Sequence, residues 1–208
     1  MAGRGGVGVS QSHAVVVLAA GGSTRLGQPK QLLTRDRETL VHRAVRLALQ
    51  TAPAQVLVAV GAQADVIAEN VADLQCEIVR NAEWQSGMAG SLHAAGTRLI
   101  KDIQRVLVLV CDQPGLERQH LDALLEGAGA AESGCAATVH GDTLGVPAVI
   151  PRGWFGSMQM AGDRGFGVRL GQQRAAGVFQ LEAPELGMDI DNLHDLACAR
   201  KQAWLDDE

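Results

Sequence analysis

Two adjacent glycines, Gly21 and Gly22, follow an apolar run from Val15 to Ala19, and two cations, Arg25 and Lys30, stand just behind them. The run reads as a buried strand, and glycine there lets the backbone turn sharply and bring its N–H groups close to a ligand. Arginine offers phosphate oxygens a planar fork and lysine a compact point charge. Leu18, Ala19, Ala20, Gly21 and Gly22 are therefore expected to cradle a nucleotide, with Arg25 and Lys30 supplying the charge that acts on its phosphates. An ordinary strand-to-helix connection would also place glycine here. Neither GxxxxGK[ST] nor GxGxxG is present.

Acidic groups recur at two other places where an apolar stretch stops. Arg105 to Cys111, RVLVLVC, ends in Asp112, Gln113 and Pro114. A carboxylate at the end of a buried strand is costly unless it is paired or coordinated, which points to a cation such as Mg²⁺. MDIDNLHD, from Met188 to Asp195, sets Asp189 and Asp191 on the same side of an extended segment, and Asp191 is the expected second ligand beside Asp112. Two simpler roles stay open: Asp112 as a helix cap or turn residue before Pro114, and Asp191 or Asn192 as the cap of a terminal helix. Between these clusters lies NAEWQSGMAGSLHAAG. There Gly87 allows close backbone approach, Ser91 opens a helical stripe with its hydroxyl, and Asn81 orients the turn. Trp84 reads more as packing than as a base-stacking ring, and Met88 as a gap filler.

Strand-like runs at Ala14–Ala20, Val56–Gly61, Cys76–Arg80, Arg105–Cys111, Cys135–His140 and Val146–Ile150, with a short one at Val178–Leu181, must hold these groups. Helical stripes at Glu38–Gln50, Ala64–Val71, Ser91–Ile100 and Arg118–Leu125 alternate with them. That alternation predicts an α/β fold with a mainly parallel sheet, in which ligands sit beyond the carboxyl ends of the strands. The glycine loop, the Asn81 segment and Asp112 all follow strands. With 208 residues, one domain over 13–208 after a flexible glycine-rich tail over 1–12 is the expectation.

A hydrophobic share of 47% against 20% charged residues excludes a disordered or fibrous chain, and a net charge of -5 argues against general nucleic-acid binding. No run approaches membrane-span length, and no signal peptide is recognisable. Cys76, Cys111, Cys135 and Cys198 form no CxxC pair, so they are expected to be reduced core thiols of a cytoplasmic protein.

The string LAAGGSTRLGQPKQLL, Leu18 to Leu33, resembles the activation loop of molybdenum-cofactor cytidylyltransferase-type nucleotidyltransferases. CDQP resembles that family's metal-binding segment, DIDNLHD its late DID segment, and NAEWQSGMAGSLHAAG its base- and ribose-contacting segment. The resemblance implies a Rossmann-like three-layer sandwich with a mainly parallel, mixed sheet of the nucleotide-diphospho-sugar transferase type. It implies Lys30 at the α-phosphate, Arg25 at the outer phosphates, and Mg²⁺ on Asp112 and Asp191. The implied reaction is Mg²⁺-dependent transfer of CMP from CTP to molybdenum-molybdopterin, with release of pyrophosphate and with a molybdenum hydroxylase as a possible partner; LAAG, where guanylyltransferase relatives have LAGG, points to cytidine. A phosphate monoester is already largely ionised at neutral pH, and none of the six histidines sits in a nucleophile-activating arrangement, so no general base is required.

TLGVPAVIP and GDRGFGVRL resemble acceptor-facing segments, which implies Gly145 and Pro147 as a pocket wall and Asp163 and Arg164 as acceptor contacts. A surface turn is the equal alternative for GDRG. Two departures stand out. Asn192, Leu193 and His194 replace the usual Thr-Pro-Glu, and Phe166 and Gly167 replace Ala-Arg, leaving Arg169 as the next arginine. The rivals are a transferase using GTP, or a sugar-phosphate or methylerythritol-phosphate acceptor, and a non-catalytic carrier of the finished cofactor. A dinucleotide-binding oxidoreductase is disfavoured by the missing GxGxxG.

Overall fold

The computed structural model describes residues 12–157 and 165–207. At its centre β1 (His13–Ala19) is buried along its whole length, which accounts for its apolar run from Ala14 to Ala19: both faces are covered, so no polar alternation is needed. It pairs in parallel with β4 (Gln55–Val60) and β6 (Arg105–Val110), and β4 pairs in parallel with β5 (Glu77–Arg80). On the other side β8 (Thr143–Pro151) runs antiparallel to both β6 and β7 (Ala136–His140), and β9 (Phe179–Leu181) closes the edge parallel to β7. The order β5-β4-β1-β6-β8-β7-β9 is a mainly parallel sheet interrupted by β8. A separate hairpin, β2 (Thr34–Arg35) with β3 (Glu38–Thr39), follows the glycine loop.

Alternate residues of β1 feed two cores. Val15 and Val17 meet α1 (Leu40–Gln50), α2 (Ala64–Glu69) and α4 (Arg118–Ala130) through Val41, Ile67 and Leu121. Ala14, Val16 and Leu18 meet α3 (Met88–Arg98), α5 (Gly153–Ser157) and α6 (Gly167–Gln172) through Leu92, Phe155 and Leu170. The result is three layers. A third cluster joins Leu26 and Leu33, on either side of Lys30, to Ile190, Leu196 and Leu205 around α7 (Leu193–Lys201). That cluster draws the C-terminal segment up to the glycine loop.

The expected elements are present, with shifted ends. The helix expected from Glu38 begins at Leu40, because Glu38 and Thr39 are spent in the hairpin and the Thr39 hydroxyl accepts from His42 N at 3.3 Å. The helix expected to stop at Leu125 runs on to Ala130; Gly127 packs so closely under Phe179 that a Cβ there would lie 2.3 Å from the ring. The helix expected from Ser91 starts three residues earlier, at Met88. The strand expected at Val146–Ile150 extends back to Thr143, with a slip in pairing from Ala137↔Ala148 to Thr138↔Gly145 that leaves Val146 and Pro147 bulged.

Candidate active site

The carboxyl ends of β1, β5 and β6 open on one cleft of about 560 Å³, within the range of small-molecule sites. Every residue expected to bind the nucleotide or the metal lines it. Lys30 is the hub. Its Nζ forms ion pairs with Asp112 and, at 2.8 Å, with Asp191 Oδ1. Arg25 takes the other oxygen of Asp191 at 2.8 Å. Burial works against the Lys30 ammonium, but the charges and hydrogen bonds of Asp112 and Asp191 prevail and hold its pKa above the ordinary lysine value. The hydrogen bond from Lys30 holds the Asp191 carboxyl below the usual carboxylate range.

The terminal helix settles which residue caps it. Asn192 is the N-cap, its Oδ1 accepting from His194 N at 2.8 Å and Asp195 N at 3.1 Å, while Asp195 returns the bond to Asn192 N. Asp191 is thereby left to the cations. Asp189, two residues earlier, also faces the cleft and accepts from Gln113 Nε2 at 3.0 Å. Burial first, and then the charge of Asp112, push the Asp189 carboxyl above its ordinary pKa.

Asp112 Oδ1 is buried and has no hydrogen-bond partner among the described residues. An orphaned carboxylate oxygen facing the site of another carboxylate is an incomplete shell of the kind a hard cation completes. Among the described residues no three His, Cys, Asp or Glu side chains gather as a metal cage. A cation here would take its remaining ligands from a bound molecule or water.

Another wall of the cleft is built by the Asn81 segment. Asn81 Nδ2 donates to Ser91 Oγ at 3.1 Å, and its Oδ1 accepts from Glu83 N at 3.0 Å, so this buried amide pins the turn to the start of α3. Gly87 has φ +106°, a conformation that favours glycine. Trp84 packs, as its sequence context suggests, but against the cleft frame itself. A Cβ at Gly22 would lie 2.7 Å from its ring and one at Gly61 2.4 Å from its Cβ. Met88 also lines the cleft.

In the segment expected to form an acceptor wall, Gly145 and Pro147 flank Val146, and it is Val146 that lines the cleft, at the bulge. Its carbonyl accepts from Gln113 Nε2 at 3.3 Å and His140 Nε2 at 2.9 Å. Asp163 and Arg164 lie outside the described residues. Arg169, on α6, stacks its guanidinium 4.2 Å over the Trp154 ring.

Among the cleft residues that had no part in the sequence-based site are Gln31, Gln113's partner Asp189, and Val146. Only Asp189 carried a signal, its spacing from Asp191.

The model of the MobA-like NTP transferase domain matches residues 15–177. The chain belongs to this family. The chain is 29% identical to the Rv0371c homologue of Mycobacterium sp. strain JC1, with a TM-score of 0.76 over 93% of this chain and 97% of that one. Rv0371c of Mycobacterium tuberculosis, in a crystal structure with manganese, is 24% identical and shares the fold, with a TM-score of 0.73 over 90% of this chain and 97% of that one. Nicotine blue oxidoreductase of Paenarthrobacter nicotinovorans is 37% identical over 111 residues, 53% of this chain. The match spans about half, 54%, of that relative's length. No helix among the described residues is long and apolar enough to cross a membrane.

Proposed function

We propose that residues 13–208 act as one nucleotidyltransferase domain that moves CMP from CTP to a phosphate-bearing acceptor of the molybdopterin type, releasing pyrophosphate. The observation that carries this reading is the meeting of Lys30, Arg25, Asp112 and Asp191 at the mouth of the glycine loop. Two cations aimed at one cleft, each balanced by a carboxylate, suit a polyphosphate that arrives with its own divalent ion. The base assignment rests on the LAAG resemblance. Unpaired thiols fit a reducing compartment, the cytoplasm.

The unpartnered Asp112 Oδ1 fits a hard divalent cation, with Asp191 as the second ligand where it gives up one of its ion pairs and Asp189 as the alternative carboxylate beside Asp112. When bound, Mg²⁺ or Mn²⁺ supplies positive charge to the phosphate oxygens and the leaving group. The manganese complex of the Mycobacterium tuberculosis relative supports that choice of ion. The chain itself orients the reactants. Lys30, held charged, neutralises the α-phosphate as an ionised oxygen of the acceptor phosphate forms the new P–O bond. The bond between the α-phosphorus and the bridging oxygen breaks, and pyrophosphate leaves with its electron pair. Arg25 steadies the outer phosphates. The acceptor oxygen enters already deprotonated, so catalysis is positional and electrostatic.

Pyrophosphate release measured with CTP and GTP across molybdopterin, sugar-phosphate and methylerythritol-phosphate acceptors tests the reading. It expects release with CTP and molybdopterin that Lys30→Ala abolishes. Tight product binding without turnover, unchanged in Lys30→Ala, would instead support a carrier. The relative named an oxidoreductase favours a second reading, a redox reaction; if a nicotinamide cofactor serves it, saturable NADH binding in a fluorescence titration would move the assignment there.

A further inference from the structure

Gln31 is 1% exposed and adjacent to Lys30, an unusual place for an amide unless it is satisfied. Its Nε2 donates to two carbonyls of the glycine loop, Ala19 O at 3.1 Å and Gly21 O at 2.8 Å. The amide oxygen would repel both, so the donor end must face them. The carbonyl between, Ala20 O, accepts from Ala62 N at 3.1 Å. Three consecutive carbonyls are thus turned toward protein donors. Ala19 needs this help because the pairing of β6 with β1 ends at Val110 opposite Leu18, so no strand N–H continues to it.

In a trans peptide the C=O and the following N–H point in opposite directions. Fixing the carbonyls of residues 19, 20 and 21 therefore turns the N–H groups of Ala20, Gly21 and Gly22 away from those donors. Among the described residues the N–H groups of Gly21 and Gly22 donate to no protein acceptor, and both glycines line the cleft. Among the described residues no other hydrogen bond holds the 21–22 peptide, and a Cβ on Gly21 would meet no atom within 4 Å. The far end of the loop is fastened separately, where Ser23 Oγ accepts from Lys30 N at 3.1 Å.

We propose that Gln31 is a positioning residue for phosphate binding: its carboxamide sets two peptide planes of the loop so that N–H groups, and not carbonyls, face a polyphosphate. Successive N–H groups make an anion-binding concavity, whereas one flipped peptide presents a repelling oxygen. The inference rests on the triphosphate reading above and adds the device that shapes its site.

The test is calorimetric binding of Mg²⁺–CTP, Mg²⁺–tripolyphosphate and cytidine to the wild type and to Gln31→Met, which keeps the length and loses the donor. CTP and tripolyphosphate should bind at least about tenfold more weakly to the variant, with cytidine within about twofold, since only the phosphate end loses its two anchored peptides. Parallel weakening of all three ligands, or unchanged tripolyphosphate binding, overturns the proposal. If Gln31→Met fails to fold, amide resonances of the wild type decide. Those of Gly21 and Gly22 should shift and gain exchange protection with Mg²⁺–tripolyphosphate but not with cytidine; unmoved resonances overturn it. A wild type that binds no triphosphate removes the parent reading and this inference together. A wild type that binds while the variant binds equally well removes this inference alone.

Discussion

Replacing Lys30 by methionine should separate the two jobs its ammonium performs. The Lys30 side chain is 16% exposed and its partner Asp112 14%, so this pair is largely withdrawn from water, whereas Asp191 is 40% exposed. Removing one partner of a buried pair leaves an uncompensated charge and costs about 3–5 kcal/mol. Asp191 keeps Arg25 and adds little, and partial solvation of Asp112 trims the loss, so about 3 kcal/mol is expected. In a chain of this size that lowers Tm by roughly 6–12 °C. Arg25→Met makes the control, because its side chain is 71% exposed: its Tm should stay within about 2 °C of the wild type. Both variants should lose triphosphate binding. The double variant Lys30→Met/Asp112→Asn removes the stranded carboxylate and should recover at least half of the lost Tm. Ligand-free melts by circular dichroism at pH 7.5 give all four values. Lys30→Met melting with the wild type, or a double variant no more stable than the single one, would refute the claim that a buried ion pair holds this corner of the cleft.

Asp112→Asn should cut turnover by several decades in a pyrophosphate-release assay while the far-ultraviolet spectrum stays native; near-normal turnover would remove Asp112 from the metal site. Gly61→Ala should destabilise by about 2–3 kcal/mol in urea titration, because its Cβ would lie 2.4 Å from Trp84 Cβ and 2.8 Å from the immobile Ala20 carbonyl. Gly21→Ala, facing open space, should cost under about 0.5 kcal/mol; equal losses would discredit the steric account. His42 stands between Glu38 at 2.6 Å and Asp73 at 3.2 Å; burial lowers its pKa, but the two carboxylates prevail and raise it above the ordinary 6.5. A histidine raised in the folded state contributes fully below pH 6.5 and loses that contribution as pH rises through its folded value. The Tm gap between wild type and His42→Gln should therefore be wider at pH 6 than at pH 8.5, and a gap that does not vary would contradict the raised value.

The sheet and the cleft's main groups were legible in the chain for a local reason. A short, valine-rich apolar run such as RVLVLVC, bounded by turn residues, reads as a strand covered on both faces, and Asp112 at its end marks where that cover stops. The same holds for β1 and the glycines after it. Gly145 and Pro147 are expected from the sequence as a wall, but that Val146 between them lines the cleft follows from the pairing slip within β8, since a bulge depends on the neighbouring strand. Trp84 was readable as packing, but not as packing against Gly22 and Gly61, which are distant along the chain.

By itself, then, the sequence determined the alternating elements, the glycine loop with Arg25 and Lys30 behind it, and two acidic segments at the ends of apolar runs, because periodicity and turn chemistry act between near neighbours. Only the tertiary structure decided that Asp191, 161 residues from Lys30, shares that ammonium with Asp112, that Asn192 takes the helix cap, and that Gln31 holds the loop's carbonyls. Charge pairing and hydrogen bonding act across a few ångströms of space, and those distances are set by how the cores on either side of the sheet bring remote segments together.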